Sequence, residues 1–77
     1  MIEPAQRFSS SITISLVVAG LQLNVAQVAD GTLYLRETAD AQPCEAELVI
    51  TIDDKIVRET IILHRGLSKD EKIVPYF

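Results

Sequence analysis

The alternation of apolar and polar residues predicts that the first two strands of this chain form a hairpin. Apolar side chains occupy the even positions of residues 12–18 and the odd positions of residues 21–25. This period of two is typical of strands that bury one face. A two-residue loop at Ala19-Gly20 sets Val18 opposite Leu21 and keeps the apolar side chains of both strands on one face.

A second hairpin is indicated by the dipeptide Asp30-Gly31, a strong signal for a tight turn between strands. Pairing across it puts Val28 opposite Leu33, although the apolar parity of the preceding strand is odd up to Val25. A bulge near Ala26-Gln27 is therefore needed to keep both halves facing one core. Because bulges bend strands, this pattern favours a barrel over a flat sandwich.

The longest β pattern spans residues 45–65 and predicts a third, longer hairpin. Two runs rich in β-branched residues flank a short acidic turn that begins at Asp53, and Asp tolerates the positive φ of tight loops. A two-residue loop puts Leu48 and Val57 on one face, but it also puts Glu59 there. Either Glu59 lies at an open rim or a second bulge beside it corrects the parity.

The last part of the chain predicts one turn and a short final strand. Residues 68–71 read Ser-Lys-Asp-Glu, a capping box long enough for a single helical or 3₁₀ turn. The segment 73–77 contains Pro75, which has no N–H to donate and therefore belongs on the edge of a sheet. Residues 61–63 are apolar in succession, so at least one of them lies on the outer face.

These elements predict an all-β fold, a small antiparallel meander of five to six strands closing as an SH3-like barrel, with a small β-sandwich as the alternative. The resemblance to SH3-like architecture lies in the strand count and the single turn before the last strand, and it implies no function. The chain has room for one domain, residues 1–77, with residues 1–10 as a flexible lead-in. A core this small leaves stability marginal, and oligomerisation is the expected support because Cys44 has no partner for a disulfide.

Charge and composition exclude several classes of partner. The net charge is −4 and the Lys and Arg residues are dispersed, which argues against nucleic acid. Two Tyr, two Phe and no Trp are too few for stacking platforms or aromatic grooves. The longest apolar stretch falls far short of the roughly 20 residues of a membrane helix, and a lone cysteine fits a reducing environment. We therefore expect a cytoplasmic protein that binds neither nucleic acid nor a membrane.

No group of residues in the sequence predicts catalysis, a metal site or a cofactor. His64 is the only histidine and ends a strand, where a solvent-facing position is expected. Asp53 and Asp54 are adjacent in a tight turn, so their carboxylates diverge and form no dyad. Cys44 has no neighbouring base or cation to activate its thiol. We expect no enzyme activity and no small-molecule substrate.

Apolar residues outside the predicted core carry the remaining functional signal. Scattered surface hydrophobes are normal, but Tyr and Phe are enriched at interfaces, and an exposed strand edge is a template for another strand. The predicted function is a small protein-interaction module, homodimeric, that binds through a strand edge or an apolar sheet face. The alternative is an accessory subunit of an enzyme whose active site another chain completes, with a polar cleft near His64, Arg65 or Glu59. The candidate interface residues, with Val74 beside them on the predicted edge, are Val17, Val49, Ile62, Ile73, Tyr76 and Phe77.

Overall fold

The computed structural model describes residues 11–77, and the predicted lead-in, residues 1–10, lies outside the described residues. The strands are β1 (Ile12–Val18), β2 (Leu21–Ala29), β3 (Thr32–Leu35), β4 (Cys44–Ile52), β5 (Lys55–Leu63) and β6 (Ile73–Pro75). They form a six-stranded antiparallel sheet in the order β5-β4-β1-β2-β3-β6. The sheet curls into a half-barrel, which confirms the predicted small all-β barrel-like fold.

The strand order places the long hairpin beside the first strand. β1, β2 and β3 follow one another as a meander, and residues 36–43 then carry the chain past β2 to the free side of β1. There β4 pairs with β1, and β5 pairs with β4. β6 adds to the other side of the sheet by pairing with β3. β5 and β6 are therefore the two end strands of the sheet.

The core lies on the inner face of the curled sheet. Leu16 of β1 lies opposite both Leu23 of β2 and Leu48 of β4, so apolar side chains form rows across neighbouring strands. Full burial of one such aliphatic side chain contributes about 1.5–3 kcal/mol. The most deeply buried large side chains are Leu16, Leu33, Leu48, Ile61, Leu63 and Val18.

Positive φ values at three turns allow the strands to reverse within two residues. Ala19 has a φ of 50°, Asp30 a φ of 42° and Asp53 a φ of 54°. In the first two turns the glycine that follows also has positive φ, as type I′ hairpin turns require. Asp53 is also tied to Ser11, whose N–H donates to Asp53 Oδ1 at 3.2 Å and whose C=O accepts from the Asp53 N–H at 3.0 Å. The predicted turns are confirmed.

The predicted bulge in β2 is also confirmed. The β2–β3 register shifts between Val25 and Gln27, and Val28 lies opposite Leu33 as expected. The β1–β2 ladder ends at the pair formed by Ile14 and Val25. Beyond that pair, the start of β1 pairs with β4 alone, because β2 bends away with β3.

Two backbone contacts bring distant parts of the chain together and hold the curl. Ile62 of β5 and Phe77 exchange both of their N–H···O=C hydrogen bonds, each at 2.9 Å. Ala41 and Leu67 exchange theirs at 3.2 and 2.8 Å. The first contact joins β5 to the residues that follow β6. It therefore connects the two end strands of the sheet on the side of Ile62 and Phe77.

The predicted turn before β6 spans residues 68–71. The Glu71 N–H donates to the Ser68 C=O at 3.1 Å, and Ser68 Oγ accepts from the Asp70 N–H at 3.2 Å. Ser68 caps the segment as expected, but its hydroxyl partner is Asp70, and the segment is a single hydrogen-bonded turn in place of a helical one.

Candidate interaction surface

The β4–β5 hairpin and the start of β1 project beyond the curled part of the sheet. β4 and β5 each have nine residues whereas β3 has four, and the molecule measures 51 × 23 × 23 Å. We call the projecting part, residues 12–14, 50–52 and 55–57, the three-stranded extension.

The inner face of the three-stranded extension continues the apolar rows of the core into solvent. Ile50 lies opposite both Ile14 and Val57, and all three are in one row. Ile12 lies opposite Ile52 in the next row. Ile12 is 59%, Val57 50% and Ile52 38% exposed. Because these residues are contiguous and not scattered singly, the inner face of the three-stranded extension is a candidate interaction surface.

The exposure of Ile12 is connected with the bulge in β2. β2 pairs with β1 as far as Ile14 and Val25 and then turns away, so no residue of β2 pairs with Ile12, although Asn24 and Val25 line the same hollow as Ile12. The period of two places Ile12 on the same face as the core residues of β1, but it does not show where the pairing with β2 ends. One feature of the sequence could have predicted the exposed extension. The two runs of the long hairpin are longer than the run that forms β3, so part of the hairpin has to extend beyond the rest of the sheet.

Glu59 marks the boundary between the core and the three-stranded extension. It lies directly opposite Leu48, and the β4–β5 register runs without a shift along the whole hairpin. The open-rim position is therefore correct, and the second bulge is wrong. Lys55 and Glu59 share the inner face of β5 on either side of Val57, and both are exposed.

The outer edge of β5 directs backbone groups toward solvent. In an antiparallel strand the N–H and C=O of one residue point to one side, and those of the next residue point to the other. Ile62 directs both groups to Phe77, away from β4. The same alternation directs the backbone N–H and C=O groups of three further residues away from β4, namely Ile56, Arg58 and Thr60. Within residues 11–77 no strand pairs with this edge, and such an edge is a template for another strand.

The candidate residues Val17 and Val49 lie on the outer face of β1 and β4. Val17 is 37% exposed, and Val49 is half-buried. Glu47 lies opposite Val17, and Glu45 lies opposite Ile62. These two carboxylates on β4 stand between the valines and Ile62, so the structure does not join the three into one apolar patch.

Ile62, Ile73 and Phe77 lie on the outer face where β5 meets the segment 73–77. The Phe77 ring stacks on His64, with ring centroids 4.3 Å apart and planes tilted by 30°. Ile73 lies opposite Tyr34 and is exposed. Because the backbone of Ile62 is bonded to Phe77, Ile62 offers a side chain to a partner but no free strand edge.

The segment 73–77 lies at an edge of the sheet as expected, but Val74 and Tyr76 face inward, so the expectation that their side chains are exposed there is wrong. Val74 is 2% exposed and belongs to the core, and Tyr76 is half-buried against the core. The reason is strand geometry, because alternate residues face opposite sides of a sheet. Outward positions for Ile73 and Phe77 require inward positions for Val74 and Tyr76.

His64, Asp53 and Cys44 occupy ordinary structural positions. His64 is exposed and stacked on Phe77, and Asp53 forms the turn of the long hairpin. Cys44 is a half-buried free thiol opposite Leu63. Across residues 11–77 no group of three or more His, Cys, Asp or Glu side chains is arranged to hold a metal ion.

A polar crevice of about 300 Å³ separates β6 from the loop that follows β5. Arg65, Ser68 and Glu71 line its polar side, and Ile73 and Pro75 line the other. Its location matches the polar cleft that the accessory-subunit hypothesis expects near Arg65. Neither a histidine nor a cysteine is among the lining residues.

Comparison with protein-family models, with curated proteins and with solved structures finds no match to this chain. Between residues 11 and 77 no helix has the length and apolar character needed to cross a membrane. The geometry therefore defines a class, a small all-β barrel-like protein with an apolar extension and an open strand edge.

Proposed function

We propose that the protein is a small protein-interaction module that works as a homodimer, and that the three-stranded extension is its contact surface. The observation that carries this proposal is the apolar row of Ile14, Ile50 and Val57, which continues the core into the extension and is 50% exposed at Val57. Apolar surface of this kind gains free energy when a partner removes it from water.

The size of the domain supports association. A chain of about this length buries only roughly 60–65% of the surface that its unfolded form exposes. The core is concentrated in the curled part of the sheet, so the three-stranded extension contributes little to the stability of an isolated chain. Pairing the extension with a second copy offsets this weakness. We further propose a cytoplasmic location, on the lone half-buried Cys44, and a role without catalysis.

A second candidate function is an accessory subunit of an enzyme completed by another chain, and the polar crevice beside β6 favours it. Arg65 and Glu71 would supply charges there to a substrate held mainly by the other chain. The crevice ranks below the extension because its lining residues include no paired nucleophile and base. Loss of a partner enzyme's activity on Arg65→Ala, with the homodimer unchanged, would favour this alternative.

The test of the proposed function compares two lysine substitutions at similarly exposed positions. Val57 and Ile73 are 50% and 55% exposed, but only Val57 lies on the three-stranded extension. We expect Val57→Lys to give folded monomers by light scattering coupled to size exclusion, and Ile73→Lys to remain dimeric. A dimer that survives Val57→Lys and is lost in Ile73→Lys would move the interface to the outer face and contradict the proposal.

A further inference from the structure

We propose, building on the homodimer above, that two copies pair antiparallel through the open edge of β5 around a two-fold axis at Val57. In this arrangement Lys55 of each copy lies opposite Glu59 of the other. The two β4–β5 hairpins then join into one continuous sheet, in which Val57 of each copy contacts Val57 of the other and the remainder of each apolar row stays on the shared inner face.

The backbone of β5 restricts the possible registers. Only Ile56, Arg58 and Thr60 have backbone groups that point to the open edge, so these residues must form the hydrogen-bonded pairs of an antiparallel contact. A two-fold axis at Val57 pairs Ile56 of one copy with Arg58 of the other, and the reverse. Both edge residues thus exchange their N–H and C=O bonds with the second copy.

Phe77 sets a limit to how far the second copy can slide. It already occupies the position beside Ile62 on the edge of β5. With the axis at Val57, the turn residue Asp54 of the second copy lies opposite Thr60 and stops short of Phe77. An axis at Arg58 would move that turn opposite Ile62, where the two chains would collide. An axis at Glu59 would extend the collision further.

Charge selects the same register. On the inner face, the axis at Val57 sets Lys55 opposite Glu59 twice and Val57 against itself. Opposite charges placed directly across two strands stabilise the pairing, and like charges destabilise it. An axis at Arg58 sets that guanidinium opposite its own copy, and an axis at Glu59 does the same for two carboxylates. The axes at Arg58 and Glu59 are therefore unfavourable for two reasons, because the second copy would collide with Phe77 and because like charges would lie opposite each other.

The remaining register has its axis at Ile56, nearer the hairpin turn. It sets Lys55 opposite Val57, so both pairs of Lys55 with Glu59 are lost. The turn residue Asp54 then lies opposite Arg58, but Asp53 lies opposite Glu59 as a like charge. It also leaves Thr60 outside the pairing, so fewer backbone groups of the edge find a partner. The axis at Val57 is the arrangement in which hydrogen bonding, charge and the position of Phe77 agree.

Three single-cysteine variants distinguish the registers, because a two-fold axis brings one residue of each chain opposite itself. We would make Ile56→Cys, Val57→Cys and Arg58→Cys in a Cys44→Ala background and follow dimer formation under mild oxidation on non-reducing gels. Residues directly opposite in a non-hydrogen-bonded pair lie at a Cα separation that a disulfide spans. We expect the Val57→Cys chain to cross-link at least about tenfold faster than the other two, whose Cα atoms lie further apart.

The outcomes separate this inference from the proposed function. Faster cross-linking of Ile56→Cys or Arg58→Cys would overturn the register. Equal and slow cross-linking of all three variants, with the unmodified chain dimeric by light scattering, would overturn pairing through β5 and leave the homodimer standing. A monomeric unmodified chain would overturn both. The Cys44→Ala chain without added cysteine is the control and is expected to form no covalent dimer.

Discussion

Replacing Arg58 with proline should convert the homodimer to a folded monomer. The Arg58 N–H points to the open edge of β5, so proline removes no hydrogen bond between β4 and β5, and proline is tolerated at such edge positions. In the dimer the same change removes one donor from each copy. Each lost bond costs about 0.5–1.5 kcal/mol and the proline ring crowds the facing strand, so we expect dimerisation to weaken by roughly a hundredfold.

Two control variants separate the effect of losing the Arg58 N–H from the effects of losing its side chain and of placing a proline in β5. Arg58→Ala removes the guanidinium and its 3.3 Å contact with Glu47, which is an exposed ion pair, but it keeps the N–H and should remain dimeric. Glu59→Pro removes an N–H that faces β4 and should unfold the hairpin. Circular dichroism follows folding, and sedimentation or light scattering follows mass. An Arg58→Pro chain that is folded and as strongly dimeric as the unmodified chain would exclude pairing through this edge.

Replacing Gly66 with alanine should produce the largest loss of stability of any single glycine substitution in the described part of the chain. Gly66 has a φ of 67°, a conformation that costs a residue with a side chain roughly 1–2 kcal/mol. An added Cβ would also meet the backbone of the segment 41–43, with Gln42 C and Pro43 N each at 2.9 Å. Because backbone atoms cannot move aside as a flexible side chain does, this crowding adds about 1–3 kcal/mol.

The control for Gly66→Ala is Gly20→Ala. Gly20 has a φ of 79°, but a Cβ there meets nothing within 4 Å. Gly20→Ala should therefore cost only the backbone term, about 1–2 kcal/mol. For a domain of this size 1 kcal/mol corresponds to a shift of roughly 4–8 °C in Tm, so Gly66→Ala should have the lower Tm in thermal unfolding. Equal Tm values for the two variants would show that Gly66 and the segment 41–43 are not in tight contact.

The local sequence pattern predicted most of the fold because turns and the buried faces of strands depend on residues that are close together in the sequence. Each two-residue turn depends on its own residues, such as Asp30 with its φ of 42°, and the period of two assigns each strand a buried face. The bulge at Val25 was predictable for the same reason, because the change of apolar parity is visible in the sequence. The sheet also curls toward a barrel, as the predicted bulge implied.

The candidate surface was less predictable because it depends on contacts between distant residues. The hydrogen bonds between Ile62 and Phe77 join residues that are far apart in the sequence, and no local sequence pattern predicts them. The exposure of Ile12 depends on where β2 stops covering β1, which is a consequence of the bulge in three dimensions. The inward position of Tyr76, in contrast, was available from strand alternation once Ile73 was placed outward.

The most direct test of the account is the mass of the unmodified chain across a dilution series, measured by light scattering coupled to size exclusion. We expect a species of about twice the 8.5 kDa chain mass that dissociates only at the lowest concentrations. A species of the single chain mass at every concentration would contradict the homodimer and, with it, the assignment of the three-stranded extension and the β5 edge as a self-association surface.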